Sequence, residues 1–222
     1  MGGPIKLLIF DFDGTIANTV PHIVNCVLKC IKKFNLKQLS YDDVEKYNGA
    51  VLADALKHLG ATDEQLPKIK EYYAEIFFDD VADIYLYDNV LKTLKQLKQK
   101  GYALAVASNR GRNTMIPLLE SLGIISLFDK IVCESDVENK KPNADMVNVI
   151  LKELNCFKEE TLVLGDTKFD ILMSKNADCK SCYVCHEEKP NEEVLILNPD
   201  FVIYNFNQLI NNSFKKMPPE IK

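Results

Sequence analysis

A chain of 222 residues can bury one sizeable hydrophobic core plus a modest insertion, and 47% hydrophobic with 27% charged residues excludes a disordered or fibrous polymer. The formal charge of -5, with lysines dispersed along the chain, leaves no basic footprint for nucleic acid. No apolar run approaches the ~20 residues that span a bilayer; with no signal-peptide pattern and seven cysteines, an odd number for a disulfide framework, a cytoplasmic protein with reduced thiols and no membrane partner is expected.

Ile5 to Phe10 (IKLLIF) is a short apolar run of buried-strand type, ended abruptly by Asp11-Phe12-Asp13-Gly14-Thr15. From about Val20 to Ile84 the apolar spacing turns helical, with helices predicted at Val20 to Phe34, Tyr41 to Tyr47, Val51 to Leu59 and Gln65 to Phe78. Beyond them, strand-like runs recur at Tyr102 to Ala107, Lys130 to Cys133, Thr161 to Leu164 and Ser181 to Cys185. They alternate with helical segments at Val90 to Lys100, Met115 to Leu122 and Ala144 to Leu154, and with a shorter one after Phe169. Strands alternating with helices imply right-handed crossovers and a mainly parallel, doubly wound Rossmann-like α/β sheet. A helical block placed after the first strand reads as a lid, so the expected division is a core of residues 1–17 and 86–222 and a helical cap of residues 18–85.

In open α/β sheets ligands bind beyond the carboxyl ends of the strands, so the residues following each strand carry the functional signal. Asp11 and Asp13 follow the first strand, Ser108-Asn109 the second, Lys140-Lys141-Pro142 lies in a loop after the third, and Gly165-Asp166-Thr167-Lys168-Phe169-Asp170 follows the fourth. Each has an ordinary structural alternative: Asp11, Asp13 and Asp166 as turn residues, Ser108 as a helix N-cap, Lys141 as a solvated loop charge, Asp170 as a first-turn acid facing a helix dipole. Together they are hard to explain as structure alone. Four carboxylates converging at one rim would repel one another strongly unless a cation stood among them.

With these motifs the sequence resembles the haloacid dehalogenase superfamily, in its phosphoglycolate-phosphatase-like branch, along essentially its whole length. The strand running into Asp-x-Asp-Gly-Thr and the strand followed by Gly-Asp-Thr-x-x-x-Asp are the specific signatures. The resemblance implies a phosphatase of a small phosphorylated metabolite, with Asp11 the nucleophile that forms an aspartyl-phosphate and Asp13 the general acid and base. It further implies that Ser108 and Asn109 bind the phosphoryl group and that Lys141 neutralises charge on Asp11 and the phosphate. Mg2+ would be held by Asp11, the backbone carbonyl of Asp13 and Asp166, with Asp170 a further ligand or the holder of a metal-bound water, a hard all-oxygen set that suits that ion. The turn Asn48-Gly49-Ala50 resembles the family's substrate-specificity loop. Arg110, one of only two arginines, is a candidate for a second anionic group on the substrate, against the alternative of a solvated or cap-packing side chain.

Three features depart from the family pattern: Tyr87-Asp88-Asn89-Val90 replaces the usual Pro-Gly of the second hinge, and Asn18 and Asp178 stand where an acid and a glycine are commoner. Asp tolerates left-handed backbone, so Asp178 need not break its turn. Cys182-x-x-Cys185-His186 is formally a haem-attachment or half-zinc pattern, but it falls in the fifth predicted strand, where alternation separates the two thiols. A β-phosphoglucomutase-like phosphomutase and a non-catalytic phosphate-binding protein of the same fold remain as alternatives. The expected form is a monomer or weak homodimer.

Overall fold

A computed structural model describes residues 4–79, 81, 83–210 and 215–216. Six parallel strands form the sheet: β1 (Leu7–Phe10), β2 (Ala103–Ala107), β3 (Lys130–Val132), β4 (Thr161–Gly165), β5 (Lys180–Val184) and β6 (Phe201–Ile203). Their order is β3-β2-β1-β4-β5-β6, with the two-residue β7 (Lys215–Lys216) adding an antiparallel edge. Strand order reverses between β1 and β4, and the ends of both lie at the middle of the sheet.

Both faces of this sheet are buried, which explains why its strands read as unbroken apolar runs. Leu8, Phe10, Leu104, Val106, Leu162 and Leu164 pack on one side, and Leu7, Ile9, Ala105, Ala107 and Val163 on the other. The first face is covered by α5 (Val90–Gln99) and α6 (Arg112–Ser121), the second by α7 (Asp145–Leu154) and α8 (Lys168–Asn176). The expected strands and helices are present with ends shifted by a few residues. β6 and the four-residue α9 (Glu192–Leu195) were not anticipated, because elements of three or four residues carry no readable period.

Four helices lie between β1 and α5: α1 (Val20–Lys33), α2 (Tyr41–Glu45), α3 (Leu52–His58) and α4 (Leu66–Phe77). Their apolar stripes face one another, α1 through Val24, Val27 and Ile31 and α4 through Ile69, Tyr73 and Phe77, and all six side chains are buried. The two connections to the sheet run side by side. Asn18 N–H donates to the Tyr85 carbonyl at 2.9 Å, and Tyr87 N–H to the Ile16 carbonyl at 3.1 Å. Asn89 of the second connection sits at φ 66, and Asp178 at φ 53; both are side chains that tolerate the left-handed region better than most.

Candidate active site

β1 delivers Asp11 to the sheet's carboxyl edge, and the Asp11 N–H bonds the Leu164 carbonyl at 2.8 Å, fixing it beside the end of β4. The chain then closes a tight loop in which Thr15, Ile16 and Ala17 all direct their N–H groups at the Phe12 carbonyl. Gly14 turns this loop at φ +79, and a Cβ there would lie 2.4 Å from Asp166 Oδ2. Gly14→Ala therefore combines backbone strain with displacement of Asp166. It is expected to lower kcat by about 100-fold, the scale of a 1 Å misplacement, while circular dichroism shows the fold retained.

Lys141 reaches in from the loop after β3, with Nζ 2.6 Å from Asp11 Oδ1 and 2.6 Å from Asp170 Oδ1. Asp170 is held on its other oxygen by a reciprocal cap at the start of α8, accepting from Thr167 N–H at 3.0 Å and Thr167 Oγ1 at 2.7 Å. The first-turn alternative for Asp170 and its place in the carboxylate group thus coexist. Gly165 makes room for it, since a Cβ there would meet the Asp170 side chain at 2.2 Å. Asp166 accepts from Thr15 Oγ1 at 2.6 Å and from Asn48 Nδ2 at 3.3 Å.

Carboxylate oxygens of Asp11, Asp166 and Asp170 lie within 4.8 Å of one another, three acids against the single ammonium of Lys141. Burial pushes the Asp11 carboxyl up to about 7; Lys141 opposes that rise, and Asp170 and Asp13 add to it. Burial, then Asp11 and Asp170, drive Asp166 well above the carboxylate range. Burial works against the Lys141 charge, but Asp11 and Asp170 outweigh it and hold the ammonium above its ordinary value. Buried acids forced together this way, offering oxygen donors only, form a set suited to a hard divalent cation.

Asp13 faces away from that group. Its carboxylate accepts from Thr19 Oγ1 at 2.6 Å and from Arg110 through Nε at 3.0 Å and Nη2 at 2.7 Å. Arg110 also donates from Nη1 to Thr114 Oγ1 at 3.3 Å and lies 4.4 Å over the Phe77 ring of α4. Ser108 Oγ accepts from the Arg110 N–H at 3.1 Å. Asn109 is a tie between loops: its Nδ2 donates to the Gly49 carbonyl at 2.9 Å and its Oδ1 accepts from Lys141 N–H at 3.1 Å. Gly49 sits at φ +81 against Thr167, and a Cβ there would lie 2.8 Å from the Thr167 hydroxyl.

All ten residues singled out in the sequence thus meet at one place. Asp11, Asp166, Asp170 and Lys141 form its charged floor, and Asp13, Ser108, Asn109, Arg110, Asn48 and Gly49 border an adjoining cavity of about 120 Å³. Sequence reasoning gave Thr15 and Thr19 no part, although their hydroxyls bind Asp166 and Asp13. Thr15 was visible inside the Asp-x-Asp-Gly-Thr motif. Thr19, at the N-cap position of α1, makes no side-chain cap bond and turns to Asp13 instead. Among the described residues the Cys-x-x-Cys-His segment gathers no ligand set: Cys182 belongs to the main core, Cys185 to a separate cluster, and His186 stacks on Tyr87 with ring centroids 3.5 Å apart.

The sequence pattern of the haloacid dehalogenase-like hydrolases matches residues 8–184. A phosphoglycolate phosphatase from Pasteurella multocida is 31% identical over 216 residues, covering 92% of this chain and 96% of that protein. Pyrophosphatase PpaX from Halalkalibacterium halodurans is 29% identical over 208 residues, covering 93% and 96%. Among solved structures, a hydrolase from Pseudomonas syringae superposes with a TM-score of 0.84 at 23% identity, covering 94% of this chain and 97% of that one. The match over residues 8–184 takes in β1 with its two aspartates, the helices that follow, and the β4–α8 turn, and on it the chain belongs to the haloacid dehalogenase-like hydrolase family.

Proposed function

We propose that the protein is a magnesium-dependent phosphatase that hydrolyses the phosphomonoester of a small metabolite through an aspartyl-phosphate on Asp11. The observation that carries this reading is the meeting of Asp11 with Asp166, Asp170 and Lys141 at the end of β1, with a second acid, Asp13, two residues on and bordering the same cavity. The phosphatase names of the relatives agree with it.

Phosphoryl transfer requires positioning and charge neutralisation more than covalent manipulation. Asp11 attacks phosphorus, and Lys141, already on Asp11, neutralises part of the charge that brings the two anions together. Ser108 orients a phosphoryl oxygen at the end of β2, and Asn109 beside it ties the Gly49 and Lys141 loops together. Asp13, at the border of the cavity, gives its proton to the departing oxygen and later takes one from the attacking water. Asp11, the Asp13 carbonyl, Asp166 and Asp170 would hold Mg2+, which when bound supplies the charge that lets a carboxylate approach a phosphate dianion.

The helices α1–α4 act as a cap, residues 18–85 against a core of 1–17 and 86–222, and the Asn48-Gly49 turn closes on the core through Asn109 and Asp166. Phosphate release from p-nitrophenyl phosphate and a panel of phosphorylated metabolites, measured after chelation and again with Mg2+ restored, tests the reading. Release that returns with Mg2+ is expected; release of equal rate under chelation refutes the metal assignment.

A further inference from the structure

The cavity beside Asp11 and Asp13 is mainly apolar where it leaves the core, with Tyr47, Asn48 and Lys70 the polar exceptions. Val24 and Val27 of α1, Val44 of α2, Leu52 of α3, Leu59 at the end of α3 and Tyr73 of α4 form most of its wall on the inserted side. Two cations border it among the described residues, and each already has a carboxylate: Arg110 Nη2 lies 2.7 Å from Asp13, and Lys70 Nζ lies 2.7 Å from Glu134. The charges facing this space are therefore balanced in pairs. A second anionic group entering it would lose its water beside Asp13 and Glu134 without gaining a free cation.

We infer that the leaving group of the natural substrate is a small, uncharged, mainly apolar alcohol seated between α1–α4 and the core, and that a substrate with a second anionic group, such as phosphoglycolate or pyrophosphate, is a poor one. The inference rests on the phosphatase reading and deepens it by naming the substrate class. Arg110 then serves the site by holding Asp13, rather than by meeting the substrate. Size limits the alcohol further: the cavity of about 120 Å³ also borders Asp11, Ser108 and Asn109, so the phosphoryl group takes part of it and the alcohol that fills the rest is short. The bonds made and broken are those of ester hydrolysis. The Asp11 carboxylate forms a bond to phosphorus as the ester P–O bond breaks, and the Asp13 proton goes to the departing alkoxide.

The test is kcat/KM of the wild-type protein with Mg2+ for ethyl, propyl, butyl, hexyl and decyl phosphate, with phosphoglycolate and pyrophosphate alongside. Alkyl esters serve because leaving-group acidity barely changes along the series. Each methylene up to butyl is expected to raise kcat/KM by about fourfold, with a fall by decyl, and butyl phosphate is expected to exceed phosphoglycolate at least tenfold. Leu52→Lys, a half-buried position on the cavity wall, is expected to flatten the chain-length series and narrow that gap. A flat series, or faster turnover of phosphoglycolate or pyrophosphate than of every alkyl ester, overturns the inference and leaves the phosphatase reading standing. Release of phosphate from none of these substrates or from p-nitrophenyl phosphate overturns the phosphatase reading itself.

Discussion

Asp11→Asn is expected to lower Mg2+-dependent kcat by about 10⁴-fold or more while leaving the fold intact, because the amide matches the carboxylate in shape but cannot act as the nucleophile. The fold survives because Lys141 keeps Asp170 as a partner at 2.6 Å, so no buried ammonium is left alone. The companion substitution separates the two acids. In Asp13→Asn a good leaving group such as p-nitrophenolate departs without acid help, so Asp11 is still phosphorylated. The hydrolytic water then lacks its base, and the phosphorylated chain accumulates, visible by intact-mass spectrometry. Asp11→Asn should show no such species. Turnover of Asp11→Asn within tenfold of the wild type would remove Asp11 as nucleophile.

The chemistry of this chain was legible because it sits at strand ends, where a short apolar run stops against a charged residue. Asp11, Asp13, Asp166 and Asp170 could be placed on one rim from order alone, since a parallel sheet brings all its carboxyl ends to one edge. What stayed hidden depends on side-chain direction. Asn109 reads as a phosphate ligand from its position after Ser108, but in the structure both ends of its amide are engaged, on Gly49 and on Lys141. Arg110 reads either as a contact for a second anionic group or as a solvated or cap-packing side chain; the fold lays it over Phe77 of α4, as the packing alternative has it, and brings Asp13 to it from 97 residues away. Pairing of this kind is settled by tertiary approach, and no spacing along the chain encodes it. The apolar wall of the cavity was likewise invisible. Val24 and Val27 have the period of an ordinary core stripe, and only the structure shows that part of the stripe faces a cavity.

The same carboxylates make the metal-free protein sensitive to pH, with a sign opposite to that of a salt-bridged acid. Asp11 titrates at about 7 in the folded chain, above the usual carboxylate range, so between about pH 4 and 7 the native state keeps a proton that the unfolded chain has released. Stability of the chelated protein is therefore expected to fall as pH rises through that window and to level off above it. Asp166, raised by burial and by its neighbours, adds to the same trend. Mg2+ binds the ionised acids, so its stabilisation is expected to be small at pH 5 and large at pH 8, about 3 kcal/mol at 100 times Kd. For a chain of this size that is about 5–10 °C in Tm. Asp166→Asn sharpens the test. It removes one of three mutually repelling acids while Thr15 keeps an oxygen to bind, so the chelated variant should melt above the chelated wild type at pH 8 and gain nothing from Mg2+. A variant that melts lower when chelated and still rises with Mg2+ would mean that Asp11, Asp166 and Asp170 do not share an ion. The gain in metal-free stability and the loss of activity expected of Asp166→Asn share one cause, the crowding of negative charge that the reaction needs and the fold alone does not.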